Sequence, residues 1–219
     1  MPAGTSHHHI DLGTVLRGTV CALYSNLVTR PTGAAVRAEI ERAIADVAPS
    51  APSVAGAPGR PGPVVSVIDF TEVTLLDYSC ADEIVAKLML RRVRAALGAG
   101  EAAAGEAGGE DDGVDAYFVF RGVGDGHLDA VEAVLERHAL AIVAVVDGEL
   151  RLVGEVAPEE RHAWHLLHQV APADAGRLAE VLGGGVGPAA EVLARLARRR
   201  LVMPAAGGGW LPVGLPARD

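Results

Sequence analysis

The stretch VVSVIDF, residues 64–70, restricts the fold more than any other part of the chain. It is rich in β-branched residues and almost continuously apolar. A strand with one wet face alternates apolar and polar residues; a strand without that alternation is covered on both faces. Such a strand lies inside a sheet with other elements packed above and below it. The chain can supply them, because it has 219 residues, of which 50% are hydrophobic. That length suits one large domain or two small ones.

Around this strand the pattern alternates. HIDLGTVL (9–16) reads as a short strand and TVCALYSNLV (19–28) as a short helix. In 29–47, Val36, Ile40, Ala43, Ile44 and Val47 recur with helical spacing, with Pro31 or Thr32 at the start. In 79–97, Ile84, Val85, Leu88, Met89 and Val93 form the apolar stripe of a second helix, and Gly98 suits its end. AYFVFRG (116–122) is a further strand. Residues 126–140 form an amphipathic helix with Leu128, Val131, Val134 and Leu135 inward. Residues 139–154 read as a hairpin turning at Asp147-Gly148. This order predicts an α/β domain, a small mixed sheet with packed helices, over residues 1–155. The low-complexity stretches 48–63 and 98–115 read as flexible loops, and the histidines at 7–9 as a flexible polar end.

After Gly154 the pattern changes. Residues 157–170, 171–184 and 186–202 read as three helices, and 203–214 as two extended pieces around a glycine-rich tip. Three helices and a β-wing describe a winged helix-turn-helix, predicted over 156–219. Trp164 and Trp210 read as its packing anchors. Charge divides at the same place. The net charge is −9, but residues 1–160 carry −12 and residues 161–219 carry +3, which suggests modules with different partners.

Two resemblances add to this reading. VIDFTEVTLLDYSCADEI (67–84) resembles the strand–Asp–loop–Asp-x-Ser–helix segment of the STAS superfamily, which includes bacterial anti-sigma-factor antagonists. LVTRPTGAAVRAEIE (27–41) resembles a Thr-Arg helix start in the STAS-like branch, and 118–140 the later strand–helix repeat. The resemblance covers about residues 10–155. It implies that Ser79 stands where antagonists carry the serine phosphorylated by a partner kinase. Antagonists usually read Asp-Ser-Ser-Gly there; this chain reads Asp77-Tyr78-Ser79-Cys80. The resemblance also implies a docking surface made by Asp69, Asp77, Tyr78, Ser79 and Cys80. Its partner would be an ATPase-type serine kinase or an anti-sigma factor. Separately, VLARLARRRLVMPAAGGGWLPV (192–213) resembles the recognition helix, strand and wing of winged-helix DNA-binding regulators.

Each candidate residue also has a plainer role. Ser79 precedes an apolar helical stripe and can serve as its N-cap, with Asp82 reaching back in a capping box. A phosphate at the same place would be favoured by the helix dipole and would add about −1.5 to −2 charge. Asp69 and Asp77 can bond turn backbone, and Asp82 and Glu83 can complement the dipole. Arg195, Arg198, Arg199 and Arg200 are candidates for DNA phosphate contact, or complement the end of their own helix. The front of that helix, GPAAEVLA, lacks base-reading side chains. Cys21 and Cys80 form no C-x-x-C pattern and read as reduced, buried thiols. His162, His165 and His168 lack zinc-site spacing, and no Ser/His/Asp or Cys/His arrangement is recognisable. No cofactor is expected.

The sequence therefore predicts a cytoplasmic, non-enzymatic regulator without a membrane span or signal peptide. Its STAS-like domain would switch partners through Ser79, and its winged helix would carry the output. The alternative is a DNA-binding transcriptional regulator whose first domain senses a small molecule.

Overall fold

A computed structural model describes residues 6–19, 25–47, 62–98 and 114–215. The elements run β1 (Ser6–Asp11), α1 (Leu12–Thr19), β2 (Asn26–Leu27), α2 (Arg30–Val47), β3 (Val64–Asp69), β4 (Leu75–Leu76) and α3 (Tyr78–Ala81). A single π-turn (Asp82–Ala86) leads into α4 (Lys87–Gly98). Then follow β5 (Ala116–Arg121), α5 (Asp125–Arg137), β6 (Ala141–Val146), β7 (Glu149–Gly154), α6 (Pro158–Val170), α7 (Ala175–Leu182), α8 (Val186–Arg198), β8 (Val202–Pro204) and β9 (Trp210–Pro212). Cys21 and nearly all of the two low-complexity stretches lie outside the described residues.

The main sheet has five strands in the order β1-β3-β5-β6-β7; the first four are parallel and β7 is antiparallel. Val64–Asp69 is buried along its whole length, as its continuous apolar character requires. The parallel strands are laid down in spatial succession, with no reversal of direction. Right-handed crossovers then put every connecting helix on one face. That face carries Ile68, Phe70, Phe118, Phe120 and Ile142. It packs on Leu16 of α1, Ile40 and Ile44 of α2, Ile84 and Leu88 around the π-turn and α4, and Val134 and Leu135 of α5.

Such winding leaves the opposite face bare, and the last third of the chain covers it. Val65, Val67, Tyr117, Val119, Val143 and Leu152 of the sheet form one core with Trp164, Leu167, Leu178, Leu193, Leu196 and Val202. Residues after Gly154 therefore share a core with the sheet. Trp164 is fully buried at its centre and donates its indole N–H to the Leu201 carbonyl at 3.1 Å. The β8–β9 hairpin is extended by a bridge between Trp210 and Ala173, two residues before α7.

Arginines fasten this cover. Arg200 lies with its guanidinium 3.8 Å over the Tyr117 ring and bonds Asp115 and the Ala116 carbonyl (3.0 Å). Arg199 donates to the Glu155 carbonyl at 2.9 Å. Arg195 bonds Glu160 at 2.8 Å and Glu159 at 3.3 Å. Glu160 is buried, and its other oxygen accepts the Ala157 N–H that opens α6.

Two local expectations change. His7–His9 are no flexible end; they form edge strand β1, paired with Val65–Val67 of β3. An edge strand with half-open faces tolerates imidazoles that a central strand would not. Ser79 is no N-cap. Asp77 caps α3, accepting both the Ser79 and Cys80 N–H groups, because a carboxylate is the stronger acceptor.

Replacing Trp164 by Ala should lower the unfolding free energy by about 3–5 kcal/mol, read by urea titration. Trp164→Phe, which loses the bond to Leu201 but keeps most of the volume, should cost about 1–2 kcal/mol.

Candidate functional site

The predicted docking residues fall into two hydrogen-bonded groups. The first surrounds the start of α3. Loop 70–77 is held by the short parallel pair β2–β4 and by the Asp77 N–H, which donates to the Leu27 carbonyl at 2.8 Å. Asp77 Oδ1 accepts the Ser79 N–H at 2.7 Å, the Ser79 hydroxyl at 2.6 Å and the Cys80 N–H at 3.2 Å. Led by the bond from the Ser79 hydroxyl, these donors hold the Asp77 carboxyl below its ordinary pKa, against some opposition from burial. Ser79 as a whole is half-buried. The Tyr78 hydroxyl accepts from Arg137 at 3.0 Å.

Cys80 points inward. Its thiol donates to the Thr29 carbonyl at 3.0 Å, and burial pushes its pKa up. Beneath it, α2 presents Gly33. A Cβ there would stand 3.0 Å from the Cys80 Cα and 3.1 Å from the Glu83 Cβ, so glycine permits the close approach.

The π-turn that follows carries Asp82 and Glu83, both buried. The Lys87 N–H reaches back five residues to the Asp82 carbonyl, and the widened turn lets consecutive acids share one cation. Arg30 Nη1 donates to Asp82 Oδ2 and to Glu83 Oε1, each at 2.9 Å. Lys87 bonds Glu83 Oε1 at 2.5 Å, Arg37 lies 3.4 Å from its other oxygen, and His138 Nε2 lies 2.9 Å from Asp82 Oδ1. Burial alone would raise both carboxyls. Bonds from Arg30 and His138 outweigh it at Asp82, and bonds from Lys87 and Arg30 outweigh it at Glu83, so both sit below their ordinary values. Asp82 therefore does not reach back to Ser79 as a capping-box partner.

The second group stands at the carboxyl ends of the parallel strands. Asp11, Asp69 and Arg121 close β1, β3 and β5 in one register. Asp69 is the hub and is 7% exposed. Its Oδ1 accepts the Thr71 N–H at 2.9 Å and the Thr71 hydroxyl at 2.5 Å. Its Oδ2 lies 3.0 Å from His9 Nε2 and 3.7 Å from Arg121 Nε. Burial opposes these partners, but Thr71 and His9 prevail and the carboxyl is held below its usual value. Among the described residues, the hydrogen bonds of Asp69 run to Thr71 and His9 and not to the Asp77–Cys80 group.

His9, Thr71 and Arg121 line a cleft of about 630 Å³ with His7, Val67, Val145 and Leu215. The sequence reading missed His9, Arg121 and the Arg30 cluster. The strand-end positions of Asp11, Asp69 and Arg121, and the Thr29-Arg30 and Asp82-Glu83 pairs, were the available signals.

The four arginines proposed for DNA divide unequally. Arg195, Arg199 and Arg200 bind the protein's own carboxylates and carbonyls. Arg198 is exposed and, among the described residues, bonds only the Ala194 carbonyl of its own helix, at 3.3 Å. Besides Arg198, the outward positions of α8 are Val186, Gly187, Pro188, Ala190, Glu191 and Ala194. His162, His165 and His168 do not converge; the His168 ring packs edge-on at 4.3 Å from Trp164. Among the described residues no group of His, Cys, Asp or Glu is arranged to hold a metal ion, and no helix is long and apolar enough to cross a membrane.

The chain matches no protein-family model, no curated protein and no solved structure.

The lowered carboxyls fix the sign of acid sensitivity. Asp69, Asp77, Asp82 and Glu83 all protonate more readily in the unfolded chain, whose ordinary values are 3.8 and 4.5. Their stabilisation is complete above those values and is lost as pH falls through the lower folded ones. Glu83→Gln should reduce stability at neutral pH by about 1–3 kcal/mol and make the acid decline shallower, as measured by urea titrations at pH 7 and across the acid range.

Proposed function

We propose that the protein is a non-enzymatic regulator in which a STAS-like domain presents the segment Asp77–Cys80 to a protein partner, with a winged-helix unit carrying the output. The reading rests on the Ser79 hydroxyl. It lies half-buried at the start of α3, held 2.6 Å from Asp77 beside the surface pair Tyr78–Arg137. A phosphoryl group on that oxygen would replace its bond to Asp77 with repulsion between like charges. The cap of α3 would weaken, and Arg137 would gain a competing anion. Switching would thus act through the shape of the segment as well as its charge. The partner class remains an ATPase-type serine kinase or an anti-sigma factor.

The helix–bridge–helix–helix–hairpin order of residues 158–212 supports the winged-helix reading, with Ala173 as the short strand between the first two helices. The engagement of Arg195, Arg199 and Arg200, and the small or acidic residues along the open side of α8, favour a protein target for this unit over DNA. The alternative of a DNA-binding sensor would need phosphate contacts that three of the four arginines do not offer in this arrangement.

The test begins with proteins that co-purify with the chain, identified by mass spectrometry together with any phosphate on Ser79. The partner found is then titrated against Ser79→Glu and Ser79→Ala. A switch requires affinities at least about tenfold apart, or 1.4 kcal/mol; equal affinities would falsify it. For the output, Arg198→Ala should leave electrophoretic mobility with duplex DNA unchanged at low salt.

A further inference from the structure

The cleft at the carboxyl ends of the strands is separate from the Ser79 segment and has the attributes of a small-molecule site. Its volume, about 630 Å³, falls within the range of ligand pockets, which are mostly apolar with a few placed polar groups. Val67, buried at the margin of the second core, and the partly buried Val145 contribute an apolar floor, and Leu215 forms an apolar side.

The polar groups lie at one end and are built in. Asp69 is more than nine-tenths buried and orients two cationic or potentially cationic side chains, His9 and Arg121. Its own charge is engaged by the two Thr71 donors and His9. Arg121 meets Asp69 through Nε at 3.7 Å, and its side chain is half exposed. That orientation leaves the guanidinium's outer edge, with its paired N–H groups, for a planar oxyanion. The turn beside it is rigid. Gly122 has φ +69°, and a Cβ there would lie 2.5 Å from the Thr71 nitrogen, so only glycine lets the strand ends close together. Gly124 then opens the 13-residue helix α5 with nothing within 4 Å of where its Cβ would be. Gly124 also lines the cleft, so the N-terminus of α5 lies beside it. Asp147 also lines the cleft, but it is well exposed and lies 3.8 Å from Arg151.

We propose that this cleft binds a small molecule bearing a carboxylate or phosphate on an apolar body. The anion lies on Arg121 and His9, and the body lies against Val67, Val145 and Leu215. Bound there, the ligand bridges the sheet and the segment after β9, where the Gly214 carbonyl lies 3.3 Å from His7 Nε2. It would therefore bias how the C-terminal unit seats on the sheet, whether or not Ser79 is ever modified.

Amide NMR of the full chain provides the test, with benzoate and phenyl phosphate as probes and benzamide and inorganic phosphate as controls. Saturable shifts at Thr71, Gly122 and Gly124 are expected with one or both probes. Benzoate alone would identify a carboxylate ligand, phenyl phosphate alone a phosphate ester, and both a site that accepts either. The two controls should bind at least about tenfold more weakly. Arg121→Gln should weaken probe binding by a similar factor. Leu215→Asp, on an exposed residue whose change leaves the core intact, should weaken it too by placing a carboxylate at the cleft mouth. The proposal is overturned if neither probe gives saturable shifts at those amides up to about 10 mM. It is also overturned if inorganic phosphate or benzamide binds as well as the probes, or if both variants bind as the parent does.

Discussion

The architecture depends on the need to cover both faces of a parallel sheet. Strands β1, β3, β5 and β6 are laid down side by side in one direction. Handedness then commits every connecting helix to one face. The other face, with Val65, Val67, Tyr117, Val119 and Val143, would be an apolar patch too large for a monomer to leave in water. The three C-terminal helices are accordingly part of the sheet's core. Arg200 over Tyr117, and Arg199 on the Glu155 carbonyl, add directed bonds to that apolar contact.

This coupling limits how the C-terminal unit can respond to events elsewhere. Swinging it away from the sheet would expose the whole second core at once. A signal from the α3 segment or from the strand ends must instead travel as a small change in seating. The fastening arginines are the groups through which such a change would be felt, since each joins the end of α8 to a different part of the molecule. The sequence offers them as phosphate contacts or as complements to their own helix end; three of the four bind carboxylates or carbonyls elsewhere in the same chain.

Much of the fold was legible because apolar periodicity records burial directly. The unbroken run in β3, the stripes of α2 and α5, and the Asp147-Gly148 turn appear where the pattern puts them, while the helix expected over 79–97 is divided by the π-turn that carries Ile84 and Val85. Between residues 9 and 28 the local reading was wrong, since a helix fills Leu12–Thr19 and a strand Asn26–Leu27; the rest of what escaped was tertiary. Three consecutive histidines look like a solvated end unless β3 is known to accept a parallel neighbour. Ser79 looks like a cap until Asp77, two residues earlier, offers a carboxylate to the same N–H groups. Asp82 and Glu83 look like ordinary first-turn acids; their burial follows from Arg30, more than fifty residues away. The cleft was not legible at all, because Asp69, His9 and Arg121 come from three strands and meet only through register.

Gly33 and Cys80 show how the chain accommodates an unusual residue in the segment that carries Ser79. Between α2 and α3 there is room for one small side chain, and here the thiol occupies it while the facing helix carries a hydrogen. The two positions therefore share a single allotment of volume. Mutational tolerance at one depends on the occupant of the other, and bulk could move across the helix pair only by a simultaneous exchange.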